Sequence, residues 1–230
     1  MSNRPQGAAD LGGRLFVAAW PDIVFLDALD PADDWIERTR WLRKTPRAQR
    51  HITAAFLGDT SHASANAAIT AIASITSKTS PINIHAGELV ALPDRTRPRV
   101  IALEVATATG DLLALLRGIV AKLAGLLDHE SLNRSAGRAP RPHITLARAR
   151  RGQQCRRTDL QKTPHIDAAA IMTSLTLVRS TLTLDGPRYE TLRSFALGEA
   201  PQRQRIIETS AHGGTTFAAD SADAPDLDAG

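Results

Sequence analysis

The sequence is poor in the residues that build cross-linked or membrane-spanning proteins. Its 230 residues contain one cysteine, and aromatic residues make up only 4% of the chain. A lone cysteine cannot form an internal disulfide, which excludes a disulfide-stapled scaffold. A helix that crosses a bilayer needs about 20 consecutive apolar residues, whereas runs such as 112–116 are far shorter. The N-terminal residues also lack the pattern of a secretory leader, so we expect a cytoplasmic protein without a membrane span.

The composition that remains is that of an ordinary globular domain. Apolar residues make up 43% of the chain and charged residues 23%, with a formal net charge of +4. The charge is uneven, because the stretch from Arg134 to Arg157 holds eight arginines and no acid. Such a block favours a phosphate-rich partner, although a solvated loop explains it equally well. Low apolar content predicts flexible ends at 1–13 and 199–230, which leaves a folded domain at 14–198.

Hydrophobic periodicity predicts a mixture of strands and helices within that domain. We expect strands at 15–20, 50–57, 82–92, 100–105, 143–147, 175–178 and 189–197, and helices at 65–75 and 112–127. A third helix is expected from Asp30 to Lys44, although Trp41 and Leu42 within it fit a strand equally well. Two of the strands follow each other directly along the chain, which favours an antiparallel α+β sheet over a doubly wound parallel one.

One short motif occurs twice, as His51-Ile52-Thr53-Ala54-Ala55 and as His143-Ile144-Thr145-Leu146-Ala147. In a strand, residues i and i+2 point to the same face, so each copy places an imidazole and a hydroxyl about 7 Å apart. If the two halves of the chain fold as similar lobes, an approximate two-fold axis brings these four side chains into one cleft.

Two histidines and two threonines in one cleft suit a phosphodiester substrate. A neutral histidine removes a proton from the attacking water, an imidazolium protonates the departing oxygen, and the hydroxyls hold the non-bridging oxygens. Histidine serves both roles near pH 7 because its ordinary pKa is about 6.5. Neither copy has nearby residues that complete a set of three metal ligands, so we expect no metal. The alternative is that both histidines are structural and bond only to backbone.

The two motifs resemble the signature motifs of the 2H phosphoesterase superfamily, most closely its bacterial RNA 2′,3′-cyclic phosphodiesterases, historically called 2′-5′ RNA ligases. The resemblance covers 14–198 and rests on segments 14–18, 51–58, 99–101, 142–148, 177–180 and 186–189. It implies a bilobal, pseudo-two-fold α+β fold with an antiparallel sheet in each lobe, helices on the outside and the active cleft between the lobes.

The resemblance also implies an activity and roles for particular residues. The reaction is hydrolysis of a terminal 2′,3′-cyclic phosphate of RNA to a 2′-phosphomonoester, without metal or cofactor. His51 is the implied acid, His143 the implied base, and Thr53 and Thr145 the implied phosphate ligands. The family keeps an arginine near the phosphate at the position of Arg148 and a base pocket near Phe16. Strand parity turns Arg148 away from His143 unless the strand bends, and Phe16 equally fits plain core.

Alternatives to hydrolysis of RNA ends remain open at this point. The same cleft suits an RNA-end-binding module with little catalysis, 2′-5′ ligation as the reverse reaction, or a small cyclic nucleotide as substrate. The sequence does not separate these choices, nor does it identify which histidine is the acid. We expect a monomer. The other five histidines are expected at the surface: His62, His85, His129, His165 and His212.

Overall fold

The computed structural model describes residues 11–93, 97–127, 129–153, 160, 162–184 and 186–198. Within these ranges the strands are β1 Gly13–Ala19, β2 Leu42–Lys44, β3 Ile52–Thr60, β4 Ile82–Leu92, β5 Val100–Ala106, β6 His143–Ala149, β7 Ala169–Met172, β8 Ser174–Thr183 and β9 Gly186–Ala196. The helices are α1 Ile23–Asp27, α2 Asp30–Arg38, α3 His62–Thr76, α4 Asp111–Ala124 and α5 Glu130–Ala136, and a 3₁₀ turn spans Arg47–Gln49.

The strands form two antiparallel half-sheets that meet at one point. One half has the order β7-β4-β5-β6, with β2 paired to the far end of β6, and the other has the order β3-β1-β8-β9. The halves join where Ile52 of β3 pairs with Ile144 of β6. This arrangement confirms the bilobal, antiparallel α+β fold that the motifs imply.

The lobes do not correspond to the two halves of the chain. The half-sheet β7-β4-β5-β6 comes from the middle of the chain, whereas β3-β1-β8-β9 combines strands from both ends of the folded domain. The simple picture of one lobe per half of the sequence is therefore wrong. Long-range pairing of β1 with β8 decides lobe membership, and no local pattern in the sequence encodes that pairing.

The main core lies between the sheet and the helices. Alternate residues of β3 and β6 are buried there, and α4 contributes an apolar stripe of Leu112, Leu115, Leu116, Ile119 and Leu123. This stripe has the helical spacing that the sequence shows, because one face of α4 must leave water. A separate small cluster of Phe16, Ala18 and Val178, packed against Trp20 and Tyr189, lies on β1 and β8.

Several element boundaries differ from the sequence prediction. The helix predicted from Asp30 to Lys44 ends at Arg38, because Thr39 takes an extended conformation. Leu42–Lys44 is a strand instead, as the alternative reading of Trp41 and Leu42 allowed, because β6 supplies a pairing partner. Three short elements, α1, α5 and β7, were not predicted. Their length of four to seven residues gives little periodicity to detect.

Parts of the sequence prediction fall on residues that the structure does not describe. Residues 1–10 and 199–230 lie outside the described ranges, so flexible ends remain a prediction there. The same holds for 154–159 of the arginine-rich block and for His212. The predicted flexible segment 1–13 is wrong at its end, because Leu11 packs against the main core and Gly13 begins β1. In the described part of the chain, none of the helices combines the length and apolar character that a membrane crossing requires.

Candidate active site

The two copies of the histidine motif meet where β3 and β6 pair. Ile52 and Ile144 lie directly opposite each other, and both are buried in the main core. An antiparallel register centred on this pair sets position 51 opposite 145 and position 53 opposite 143. Because side chains alternate across a strand, His51, Thr53, His143 and Thr145 all turn away from the core. They line one cavity of about 910 Å³, so the structure brings together the four residues that the motif predicts.

Both imidazoles are held in the same tautomer by the same type of hydrogen bond. The Nδ1 atom of His51 lies 2.7 Å from the Gln49 carbonyl oxygen, and that of His143 lies 2.7 Å from the Arg141 carbonyl oxygen. A carbonyl oxygen only accepts, so Nδ1 must carry the hydrogen and donate it. In each ring Nε2 is then the nitrogen that gains or loses a proton.

Aromatic rings surround His51. Its ring centroid lies 5.0 Å from that of Phe16, 5.1 Å from Trp20 and 5.5 Å from Tyr189. Burial among these rings lowers the pKa of His51. The hydrogen bond to the Gln49 carbonyl opposes this shift, whereas the charges of His143 and Arg148 add to it. His51 therefore favours its neutral form.

Tyr189 of this group and a further aromatic residue, Phe56, line the cavity. Burial raises the pKa of Tyr189, and the charges of Arg148 and Arg14 oppose the shift, so its phenol stays protonated and able to donate a hydrogen bond. Phe56 is 53% exposed, and its ring lies 6.2 Å from that of Phe16. Phe16 itself is only 4% exposed. Phe16 lines the cavity and also belongs to the small cluster on β1. Its predicted place near a base pocket and its alternative place in the core are therefore both partly correct.

A bulge in β6 decides the direction of Arg148. The pairing of β5 with β6 passes from Ala102–Thr145 to Ile101–Ala147, which leaves Leu146 as an extra residue. Leu146 and Ala147 are consequently both buried, and Arg148 returns to the cavity that holds His143. In a regular strand Arg148 would face away from His143. The bulge is the bend that the sequence analysis named as the condition for Arg148 to face the cavity.

The same irregularity occurs in β3. Its pairing with β1 passes from Ala18–Thr53 to Val17–Ala55, which leaves Ala54 as the extra residue. Ala54 and Ala55 are both buried, and Phe56 then faces the cavity. In both copies the bulge follows the threonine, and the residue five places after the histidine lines the cavity.

The residue before each histidine is fixed in a different way. Arg50 is fully buried, pairs with Asp33 of α2 and donates from Nε to the Thr45 carbonyl oxygen at 3.2 Å. This ion pair holds the segment whose Gln49 carbonyl orients His51. In the second copy Pro142 occupies the equivalent place, and the nearby pair of Arg141 and Glu104, 3.1 Å apart, is exposed.

The prediction that His129 is an ordinary surface residue is wrong. It is half-buried and lines the cavity beside Gly58. Gly58 has φ +70°, and a Cβ at this position would lie 2.1 Å from Cε1 of the His129 ring. Glycine is thus required both by the backbone conformation and by the ring. His62, His85 and His165 are exposed, which confirms the prediction for them.

The cavity carries more positive than negative charge. Among the described residues that line it, Arg14, Arg43, Lys44 and Arg148 are cationic and Asp59 is the one carboxylate. A site with this balance attracts anions. Over the described ranges, no three His, Cys, Asp or Glu side chains are grouped as metal ligands would be. Sequence reasoning did not single out Arg43, Phe56 or Tyr189, because their place in the cavity depends on pairing between distant strands.

Comparisons with known proteins agree with this geometry. Among solved structures, TT0787 of Thermus thermophilus is 26% identical, with a TM-score of 0.70 over 80% of this chain and 98% of that chain. E. coli LigT complexed with NADP+ is 22% identical, with a TM-score of 0.62 over 81% of this chain and 99% of that chain. E. coli LigT complexed with 3′-AMP is 21% identical, with a TM-score of 0.61 over 81% and 98%.

Sequence comparison identifies the family. No curated protein matches the sequence. The family model described as the 2′-5′ RNA ligase superfamily matches residues 28–182, a range that includes both histidine motifs and their bulges. The chain therefore belongs to the 2′-5′ RNA ligase superfamily, whose members are 2H phosphoesterases.

Proposed function

We propose that this protein hydrolyses the terminal 2′,3′-cyclic phosphate of RNA to a 2′-phosphomonoester, with His51 and His143 as a metal-independent acid–base pair. One observation carries the proposal. Both histidines lie in one cationic cavity, and each is bound through Nδ1 to a backbone carbonyl two residues earlier. Two imidazoles that both keep Nε2 for proton exchange suit a reaction that takes a proton on one side and gives one on the other.

The reaction then divides between the two motifs. His143 removes a proton from water, the water oxygen forms a bond to phosphorus, and the bond from phosphorus to the 3′ oxygen breaks. His51, as imidazolium, gives its proton to that 3′ oxygen. The lowered pKa of His51 makes its imidazolium a stronger acid, and a phosphate bound beside it favours the charged form that this role requires. The hydroxyls of Thr53 and Thr145 and the guanidinium of Arg148 bind the non-bridging oxygens.

The aromatic residues of the cavity favour a nucleotide. E. coli LigT has been crystallised with 3′-AMP, NADP+ and ATP, and we propose that this cavity also accepts a nucleoside attached to the phosphate. Phe16 packs against His51 and is almost fully buried, so the exposed ring of Phe56 offers the larger face for a base. RNA ends and small cyclic nucleotides both carry a nucleoside with a cyclic phosphate, which is the group that we expect the cavity to bind.

The name of the family supports a second candidate reaction. If a 5′-hydroxyl of a second RNA strand replaces water, the same residues join the two strands through a 2′-5′ linkage. The base then deprotonates that hydroxyl, and the acid again protonates the departing 3′ oxygen. An assay that supplies a 5′-hydroxyl strand distinguishes ligation from hydrolysis by the length of the product.

The direct test is product analysis on an RNA oligonucleotide that ends in a 2′,3′-cyclic phosphate. We expect the purified protein to yield a 2′-phosphate in the presence of EDTA. His85→Ala is the matched control, because His85 is exposed and lies outside the residues that line the cavity. Absence of turnover, turnover only with added divalent ions, or tight binding without any product would each overturn the proposal.

A further inference from the structure

Two arginines lie beside the motif of β6. Arg43 of β2 and Arg148 of β6 are directly opposite each other in the antiparallel register. Side chains of such partners lie on the same face, with Cβ atoms about 5 Å apart. Both arginines are exposed, and both line the cavity that contains His51 and His143.

These two arginines lack the acidic partners that neighbouring cations have. Between positions 43 and 50, Lys44 pairs with Glu37, Arg47 with Asp27 and Asp30, and Arg50 with Asp33. In the described part of the chain, no carboxylate oxygen lies within 4.0 Å of the side-chain nitrogens of Arg43 or Arg148. Like charges directly opposite each other destabilise a sheet, and a bound anion removes that repulsion.

The position of the pair suggests which anion it binds. Arg148 lies on the same strand as His143 and Thr145, and its charge acts on both His51 and Tyr189. It lines the cavity and lies near His51 and Tyr189. Arg43 lies on the same edge of β6 as β3 and is opposite position 148, whereas His51 is opposite position 145. It is therefore displaced from His51 along the strands by roughly 7–10 Å, where a phosphate held at the histidines leaves it without a partner. An RNA chain has a second anion at a comparable distance from its terminal phosphate. This anion is the phosphodiester on the 5′ side of the terminal nucleotide.

We propose that Arg43, beside Arg148, binds the phosphodiester that connects the terminal nucleotide to the rest of an RNA chain. The site then prefers an RNA end to a free mononucleotide. Arginine suits this role because its planar guanidinium donates two parallel hydrogen bonds to phosphate oxygens. This inference rests on the proposed function, since it takes the cyclic phosphate to lie at the histidines.

Binding of two reaction products tests the inference without requiring turnover. The probes are adenosine 2′-phosphate and the dinucleotide ApA with a 2′-phosphate on its last residue, measured by calorimetry with the wild type and with Arg43→Gln. We expect the dinucleotide to bind the wild type about 10- to 100-fold more tightly. Arg43→Gln should remove most of that advantage, leave the mononucleotide unchanged and reduce the salt dependence of dinucleotide binding by about one ion.

The control is Arg117→Gln, which removes the same charge from an exposed position on α4 outside the cavity. It should change neither affinity. Equal affinity of the wild type for both probes, or an equal loss for both in Arg43→Gln, would overturn the inference. So would an effect of Arg117→Gln as large as that of Arg43→Gln. Because both probes are products, absence of hydrolysis in the EDTA assay overturns the proposed function and leaves this comparison intact.

Discussion

The two copies of the motif share a backbone path and differ in what surrounds the imidazole. His51 has three aromatic rings within 5.5 Å, whereas His143, within the part of the chain that is described, has none beside it. Arg50 in a buried ion pair precedes the first histidine, and Pro142, whose ring fixes φ, precedes the second. Five places after the histidine stands Phe56 in one copy and Arg148 in the other.

This difference shows how a symmetric scaffold supports an asymmetric reaction. The attacking water must lose a proton while the departing 3′ oxygen gains one, so two histidines in identical environments would serve neither role well. The shared bulges and the shared bond through Nδ1 give both rings the same orientation. The unshared residues then separate the two environments: aromatic rings surround His51, and the second copy adds the cationic side chain of Arg148 to the cavity.

The largest effect expected is loss of activity on replacing either histidine. His51→Ala and His143→Ala should each slow hydrolysis of a cyclic-phosphate RNA about 10²- to 10⁴-fold. A phosphodiester with a 4-nitrophenol leaving group sharpens the comparison, because that group departs without a proton. On this substrate His51→Ala should lose far less activity than His143→Ala. If His143→Ala is the variant that retains activity, the assignment of acid and base must be reversed.

The ion pairs beside the two motifs should differ in their contribution to stability. Asp33→Ala leaves Arg50 charged and buried without a partner, and we expect it to lower the free energy of unfolding by about 3–5 kcal/mol. Glu104→Ala breaks the exposed pair with Arg141 and should cost at most about 1 kcal/mol. Urea unfolding at pH 7 measures both values. Similar losses in the two variants would show that burial of Arg50 is unimportant.

The threonines should contribute equally in the two copies, in contrast to the histidines. Thr53→Val and Thr145→Val keep the side-chain shape and remove the hydroxyl that we place on the phosphate. Loss of one such hydrogen bond should reduce kcat/KM about tenfold in each variant, and serine at either position should restore most of it. Unchanged activity in both valine variants would contradict a role for these hydroxyls in phosphate binding.

The smallest effect concerns the pKa of His51. Burial lowers this pKa, so the ring should become protonated only as the pH falls below 6.5. Tyr189→Ala admits water to the ring and should raise the pKa toward 6.5, while Tyr189→Phe should keep it low. The ring Cε1 proton, followed by NMR against pH, reports the change, and His143 in the same sample is the internal reference. If the pKa of His51 is unchanged in Tyr189→Ala, the aromatic residues around this ring do not lower its pKa.

The sequence predicted the residues whose placement follows from period-two alternation. His51 and Thr53 share a face in any regular strand, and so do His143 and Thr145. The prediction that all four line one cavity therefore depended only on predicting the fold correctly. Arg148 was ambiguous because a bulge reverses parity, and bulges depend on pairing with β1 and β5.

Other site residues depend on contacts between parts of the chain far apart in sequence. Tyr189 reaches His51 only because β8 pairs with β1 and β9 with β8. The sequence predicts a helix at Arg43, because the strand that positions this residue exists only through its pairing with β6. His129 lies in the cavity because Gly58, seventy-one positions earlier, leaves room for its ring. Local sequence patterns carry none of this information.

The measurement that tests the central claim most directly compares the double variant His51→Ala/His143→Ala with the two single variants on a cyclic-phosphate RNA in EDTA. If both imidazoles act in one proton-transfer step at one phosphate, the double variant should be about as slow as the slower single variant, because either loss already disables the step. Losses that multiply, or one histidine whose replacement leaves the rate unchanged, would contradict the account.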